Sequence, residues 1–519
     1  MAKIFKQLVL HPFFFALFPI LSLYVVNLGQ VPFLEAARPL LIGLGGAALM
    51  LVVLRLVIGE WHRAGLAASL AVLLFFTFGH AHRVLISFFG PKHFASQSVW
   101  MIAVWLFFFF LGLRAIVRTR QRPKQLTFLL NMVGAAAIVT CLWWVGVYGI
   151  RGVKANMDAT AAPPAEKTVE PHKIATYPPP VPPDIYWIVL DGYGRQDVLS
   201  ELYQTDNRPF LRFLKTRGFY VANQAHSNYG QTALSLSSTL NMDYLDQLLA
   251  LKPDWNDRAQ LTELINNSLV QQALDKAGYQ TIAFSNGYPV TQMVEADRFV
   301  QREGELSSFE VSLLSGSLGD GGAINQTLLD DYRKRIIWQA VELEILAKEP
   351  GPKFVFAHFI LPHPPFVFPS SAQTRMSLAG ADGSSYDGTT AEYIQGYRQQ
   401  LNFTNHLAQD MITSILANSK RPPIIILQGD HGPGSHLDWS SAENTCMRER
   451  FSILNAYYFP EREYSALYPQ ITPVNSFRVV LNRYLGTNLP LLDDRSFYST
   501  WERPYELQEV TDQLELRCK

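Results

Sequence analysis

Five long apolar stretches crowd the chain before residue 150, near Leu8–Val26, Pro39–Ile58, Ala64–Phe78, Val99–Leu113 and Leu126–Ile150. No other feature restricts the fold as much. Crossing about 30 Å of hydrocarbon takes roughly 20 apolar residues in a helix, and these runs approach or reach that length. The third is the weakest, because His80, His82 and Arg83 follow it closely. The first lacks a clear small-residue cleavage site and precedes four more runs, so it reads as a retained span and not a secretory signal.

Loop charge gives the orientation. Lys3 and Lys6 precede the first span; Arg55, His62 and Arg63 mark the second loop; Arg114, Arg118, Arg120, Arg122 and Lys124 crowd the fourth. These segments are expected in the cytoplasm. The alternate loops carry Arg38, balanced by Glu35, and then Arg83 and Lys92. Matching loop charge argues against core helices of a water-soluble protein. Five spans starting inside place everything after residue 150 outside. The expected location is the cell (inner) membrane, multi-pass, with an extracytoplasmic C-terminal domain.

From Arg151 to Pro183 the composition shifts to a polar run holding Pro163, Pro164, Pro171, Pro178, Pro179, Pro180, Pro182 and Pro183. Such a run packs no core and favours extended polyproline II. The expected domains are therefore a five-helix transmembrane domain (1–150), a Pro-rich linker (151–183) and an outer domain (184–519). Lys+Arg and Asp+Glu are both 44, so no basic excess exists to hold a nucleic-acid backbone. Three cysteines exclude a disulfide-rich scaffold and a four-thiolate zinc site. Cys446 and Cys518 both fall outside, where a bridge between them would persist; the alternative is two unpaired thiols. Cys141 lies in the fifth span and reads as packing. The sequence does not give the oligomeric state.

In the outer domain short apolar runs alternate with amphipathic segments. Ile185–Leu190, Thr281–Phe284, Phe354–Phe359 and Ile424–Leu427 read as buried strands; Arg258–Lys276, Gln326–Lys348, Thr390–Ala417 and Thr472–Leu485 read as helices. The alternation predicts an α/β domain with a mainly parallel central sheet covered by helices. In such sheets chemistry gathers beyond the carboxyl ends of the strands.

The residues at the ends of these runs narrow the chemistry. The first strand ends in Asp191-Gly192, and the run Ile424–Leu427 leads into Gln428-Gly429-Asp430-His431-Gly432. Two carboxylates and one imidazole at adjacent strand ends suit a divalent cation such as Zn²⁺ or Mn²⁺. The hydroxyl-rich run Ser227–Ser238 reads as a loop entering a helix near Thr232. A hydroxyl there is ordinarily an N-cap, yet free N–H groups and the helix dipole also favour an ionised, metal-bound oxygen able to attack phosphorus. After the strand Phe354–Phe359 comes Pro362-His363-Pro364-Pro365, and His363 is the candidate substrate ligand or leaving-group acid. His358 reads as structural. His436 is a further residue that can face the cleft.

Taken in order, these segments resemble the alkaline-phosphatase/sulfatase superfamily over about Asp184–Tyr458. The run Ile188-Val189-Leu190-Asp191-Gly192 is similar to that superfamily's first metal-binding strand end. Gly429-Asp430-His431-Gly432 is similar to its Asp-His pair, and His363-Pro364-Pro365-Phe366 to its substrate-binding histidine loop. The layout resembles the membrane-anchored branch of lipoteichoic acid synthases and lipid A phosphoethanolamine transferases. Thr232-Ala233-Leu234-Ser235 is similar to the segment that begins with the nucleophilic Thr of the latter. The resemblance implies Thr232 as nucleophile, with Asp191, Thr232, Asp430 and His431 around one divalent metal ion, Zn²⁺ or Mn²⁺.

Three departures matter. Those transferases usually have Glu where this chain has Asp191. No Cys or Ser lies in the C/S-x-P-x-R context that sulfatases need. No Asp-x-x-x-His pair exists for a second metal, leaving His363 or His436 as its remaining ligands. The expected activity is transfer of a phospho-head group from a membrane lipid donor to a glycan or lipid acceptor through a phospho-threonine. Ester hydrolysis, phosphodiesterase or sulfatase-type with water as acceptor, uses the same residues. A non-catalytic membrane receptor or scaffold is the third reading.

Overall fold

The computed structural model describes residues 8–89, 98–118, 123–161, 182–253, 255–318, 322–368, 386 and 388–518. The chain divides into two compact units, Met1–Pro164 with Leu306–Leu329, and Ala165–Glu305 with Asp330–Lys519.

The first unit contains α1 (His11–Val26), α2 (Phe33–Ile58), α3 (Trp61–Phe89), α4 (Ser98–Arg118) and α5 (Pro123–Ala161). Four helices are long and apolar enough to cross a membrane, within Phe33–Ile58, Trp61–His82, Trp100–Arg118 and Pro123–Ile150; α1, at 16 residues, is shorter. Large apolar side chains such as Leu41, Val57, Phe107 and Trp143 point outward. That pattern is costly in water and natural in lipid. Polar side chains stitch the interior. Asn131 Oδ1 accepts from the backbone N–H groups of Leu10 and His11 at 3.1 and 2.8 Å, tying α1 to α5.

Two details of this unit depart from the sequence reading. The helix Ser308–Leu318, expected within the outer domain, packs against α2 and α3. Its Glu310 pairs with Arg38, the cation that the sequence reading balanced with Glu35. The helix α5 runs past Ile150 to Ala161; residues 162–181, with most of the Pro-rich stretch, lie outside the described residues.

The second unit is built on a seven-stranded sheet of order β2-β7-β6-β1-β5-β3-β4. In chain order the strands are β1 (Ile185–Leu190), β2 (Tyr220–Val221), β3 (Gln280–Phe284), β4 (Arg298–Val300), β5 (Lys353–Phe359), β6 (Ile424–Gln428) and β7 (Asn455–Tyr458). From β6 to β4 all pairings are parallel, and only β7 runs against its neighbours. Every residue of β1, β5 and β6 is buried. Continuous apolar runs of this kind suit a sheet covered on both faces. Trp187 at the centre stacks on Phe356 with centroids 4.9 Å apart and meets Phe477 edge-on at 5.4 Å. Its indole N–H donates to Gln428 at 3.1 Å, so its polar atom is satisfied in the core.

The expected helix Arg258–Lys276 is two helices, Ala259–Asn266 and Leu269–Lys276. Ser268 caps the second by accepting from the Gln271 N–H, so the polar run Asn266-Asn267-Ser268 ends one helix and starts the next. Cys446 and Cys518 form a disulfide, and Cys141 is a buried free thiol.

The two ends of the central strands differ. At the entry to β1, Lys353 Nζ is buried and 2.6 Å from Asp184 Oδ2, a closed ion pair. At the exit end, acidic and imidazole side chains converge with carboxylate oxygens left over.

Candidate metal and nucleophile site

The register brings the exits of three strands together. The strand β1 lies between β5 and β6, with Val189 opposite both His358 and Gln428. Asp191 therefore leaves the sheet flanked by His358 and His363 on one side and by Asp430 and His431 on the other. The Asp191 N–H donates to Phe359 O at 3.0 Å and the His363 N–H to Asp191 O at 3.1 Å, locking the β1 and β5 exits. Gly192 has φ +70°, a turn that glycine adopts without strain, and its N–H donates to Asp430 Oδ1 at 3.0 Å. The two glycines around Asp430-His431 serve close packing. A Cβ on Gly432 would lie 2.1 Å from Glu449 O, and one on Gly429 2.7 Å from Tyr193 O.

Asp191, Asp430 and His431 are buried and present ligand atoms that all lie within 4.8 Å of one another. His431 Nε2 is 3.5 Å from Asp191 Oδ1 and 3.3 Å from Asp430 Oδ2. His431 Nδ1 lies 2.9 Å from Gly432 O, so its proton belongs there and the lone pair of Nε2 faces the carboxylates. Asp191 Oδ1 and Asp430 Oδ2 are buried without a hydrogen-bond partner. Buried polar atoms without partners are rare and call for an explanation. Two buried acceptor oxygens and an imidazole lone pair gathered in one place are the donor set of a divalent cation.

The electrostatics agree. Burial pushes the Asp430 carboxyl up to about 7, helped by the negative Asp191. Burial opposes ionisation of Asp191 too. The charge of His363 and the hydrogen bond from His358 outweigh it and hold this carboxyl well below the usual range. His431 is driven well below its ordinary value by burial and then by Arg450, so it stays neutral. Two adjacent carboxylates share less than their full charge until a cation joins them.

Thr232 opens the helix Thr232–Asn241, at its first position; Gln231, in extended conformation, is the residue before it. The helix is buried from Ala233 to Asn241, while Thr232 itself is part-exposed. Its Oγ1 lies 3.1 Å from His431 Nε2. Ser235, one turn on, donates to Asp430 O at 2.7 Å and pins the helix start against the β6 exit. The structure thus brings together Asp191, Thr232, Asp430 and His431. His363 is part-exposed and lines the same small cavity as Thr232 and His431, its ring centroid 6.1 Å from that of His431.

His436 does not join them. It lies 3.4 Å from Glu449 Oε2 and 2.9 Å from Ser435 Oγ, and the Glu449 hydrogen bond raises its pKa. Among the described residues the ligand cluster is the Asp191, Asp430 and His431 group.

Three contributors escaped the sequence. His358 Nδ1 accepts from Asn286 at 2.8 Å, which leaves its Nε2 proton for Asp191 Oδ2 at 3.2 Å. This histidine, read as structural, orients a ligand. Arg258 is buried, donates to Gln231 Oε1 and Trp501 O at 2.9 Å each, and stacks 4.1 Å from the Trp501 ring centroid. Arg450 is buried, donates to Gly230 O at 2.7 Å and Gly432 O at 3.2 Å, and stacks 5.0 Å from Trp439. Both line the cavity holding Thr232. Neither has a local motif that betrays it; a buried arginine is visible only once the chain has folded. Two fixed guanidinium groups suit an anionic ester.

Known structures similar to this chain include the C-terminal periplasmic domain of EptC from Escherichia coli, at 12% identity. That match covers 65% of this chain and 95% of that one, with a TM-score of 0.41. The phosphoethanolamine transferase EptC domain from Campylobacter jejuni is also similar, at 12% identity over 60% of this chain and 92% of that one, TM-score 0.38. A putative sulfatase from Bacteroides fragilis matches at 11% identity over 64% and 84%, TM-score 0.40. Among curated proteins no sequence matches this chain. Residues 183–478, more than half the chain, match the Sulfatase family. The chain is a member of the Sulfatase family, with a mainly parallel α/β domain that follows a set of apolar N-terminal helices.

Proposed function

We propose that this protein is a membrane-anchored phosphotransferase that moves a phospho-head group from a membrane lipid to a hydroxyl acceptor through Thr232. One observation carries the reading: the Thr232 hydroxyl, first in a buried helix, faces an imidazole lone pair and two unpartnered carboxylate oxygens. Threonine also separates this site from sulfatases that use formylglycine. Oxidation at its Cβ gives a ketone and not an aldehyde, so the side chain serves as an alcohol.

A cation such as Zn²⁺ or Mn²⁺, held by Asp191, Asp430 and His431 with Thr232, supplies a lowered hydroxyl pKa and stabilises charge on the phosphoryl oxygens. The protein's own groups do the rest. Thr232 Oγ attacks phosphorus while the bond from phosphorus to the diacylglycerol oxygen breaks. The proton lost from Thr232 ends on that oxygen, delivered by His363. Arg258 and Arg450, already fixed by carbonyls and indoles, meet the anionic ester without reorganising. An acceptor hydroxyl then attacks the phospho-threonine, the Thr232 Oγ–P bond breaks, and the acceptor's proton returns to Thr232. Anchoring by the N-terminal helices confines the site to the plane of its donor.

The test is product analysis with full-length protein and vesicles of phosphatidylethanolamine and phosphatidylglycerol. Head group on a glycan or lipid means transfer; free head group means that water is the acceptor. Thr232→Ala is expected to lose on the order of 10³-fold or more in turnover. Full activity in that variant would overturn the assignment.

A further inference from the structure

Beside the Thr232 cavity lies a cleft of about 920 Å³, a size within the roughly 300–1,000 Å³ usual for small-molecule sites. The two spaces share His363, Trp439, Arg450 and Trp501, so one opens on the other. The cleft is not needed to assemble the cation ligands or the nucleophile.

Its walls are firmly built. Trp439 and Trp501 meet edge to face, with ring centroids 5.3 Å apart and planes at 61°. The Trp501 N–H donates to Trp439 O at 3.0 Å, joining the two segments that carry them. Arg450 packs on one indole and Arg258 on the other, and both indoles remain half-exposed. The result is a rigid aromatic corner directly next to the nucleophile.

Three kinds of occupant can be weighed. An acyl chain needs an aliphatic lining, but Leu437 is the only large aliphatic side chain among the described lining residues. A cationic head group would be repelled by Arg450 and Arg258, whose guanidinium groups are seated on the indoles, and by Arg503. Of the lining carboxylates, Glu506 is paired with Arg503 at 3.1 Å and Asp438 accepts from Ser440 and Asn444, which leaves Glu502 alone to face these cations. A sugar ring fits both materials. Its C–H face is apolar and weakly positive, matching an indole face. Its hydroxyl edge finds Glu502, Ser440 and Thr389.

We infer that the Trp439–Trp501 cleft is the acceptor subsite of the transfer, and that it takes an uncharged sugar ring; this rests on the transfer reading for its role, not for its binding. The bound sugar presents a hydroxyl past His363 toward phospho-Thr232.

Two measurements on the full chain in detergent test it. Saturation-transfer NMR with methyl glucoside, methyl mannoside and methyl N-acetylglucosaminide reads binding without any donor. At least one is expected to bind, with affinity weakened more than about tenfold in Trp439→Ala and Trp501→Ala, the scale of removing a central aromatic anchor, and less in the Phe variants. Loss of the phosphoryl group from Thr232, followed by intact mass, then reads the acceptor role. The sugar that binds should speed it over water, and Trp439→Ala should raise the half-saturating sugar concentration more than it lowers the maximal rate. Absence of binding by all three sugars, binding indifferent to both tryptophans, or discharge by diacylglycerol alone would overturn the inference. Tryptophan-dependent sugar binding with no phosphorylated Thr232 would uphold the cleft and strike the transfer reading instead.

Discussion

Around Thr232, each of the three candidate cation ligands is buried and comes from a strand exit, and the nucleophile starts a buried helix. The adjoining cleft is walled by half-exposed indoles and charged side chains from loops. The contrast separates two tasks. Chemistry needs positions fixed to a fraction of an ångström, which strand exits and helix starts provide. Choice of partner can be altered by loop residues without disturbing the scaffold. The shared His363, Trp439, Arg450 and Trp501 are where the two tasks meet.

The largest expected effects lie in the buried corner. Asp191→Asn and Asp430→Asn each remove a cation ligand while keeping shape. Metal content measured on the purified protein should fall to near zero and turnover by on the order of 10³-fold, comparable with loss of the nucleophile. Neither change should alter sugar binding in the cleft. If it does, the two regions are one site and the comparison fails.

His358→Ala is the next test. Its ring touches Asp191 and not the cation position, so zinc affinity should weaken about 10–100-fold, the usual cost of losing a residue that orients a ligand. Unchanged zinc affinity would make it a core histidine only.

Acidity gives a smaller, graded effect. Asp430 is pushed up to about 7, above its ordinary value, so below that pH its carboxyl holds a proton that a cation must displace. Zinc affinity should therefore fall by about tenfold per pH unit below 7 and level off above it, a slope of one proton. Asp191 is held below the usual range and His431 well below its own, so neither adds to that slope near neutrality. A slope of two protons would mean that Asp191 is also protonated. In the metal-free protein the same shift has the opposite sign for stability. The raised Asp430 pKa means that folding is favoured while the group is protonated and loses that contribution as pH rises from about 4 through about 7.

The corner was legible in the sequence because each piece carries a local mark. Asp191-Gly192 and Gly429-Asp430-His431-Gly432 directly follow runs that can only be buried strands, and Thr232 follows a loop rich in small polar residues. The parallel sheet was legible for the same reason. The cleft was not, because Trp439, Arg450 and Trp501 come from two separate stretches of chain outside the expected strands and helices, and Arg258, which packs on Trp501, starts an expected helix with no motif of its own. Their meeting is a tertiary fact. The break at Asn267 inside the expected helix was hidden because one amphipathic stripe continues across it. The packing of Ser308–Leu318 on α2 and α3 was hidden because its partner for Arg38, Glu310, lies 272 residues away.

The proposed chemistry stands most directly on the oxygen of Thr232. Full-length protein exposed to phosphatidylethanolamine and phosphatidylglycerol vesicles, then acid-quenched and measured by peptide mass spectrometry, should carry the phospho-head group on Thr232. The Thr232→Ala protein should carry none. A turning-over enzyme whose Thr232 stays unmodified on the timescale of a single cycle, with the label on another residue or nowhere, would contradict it.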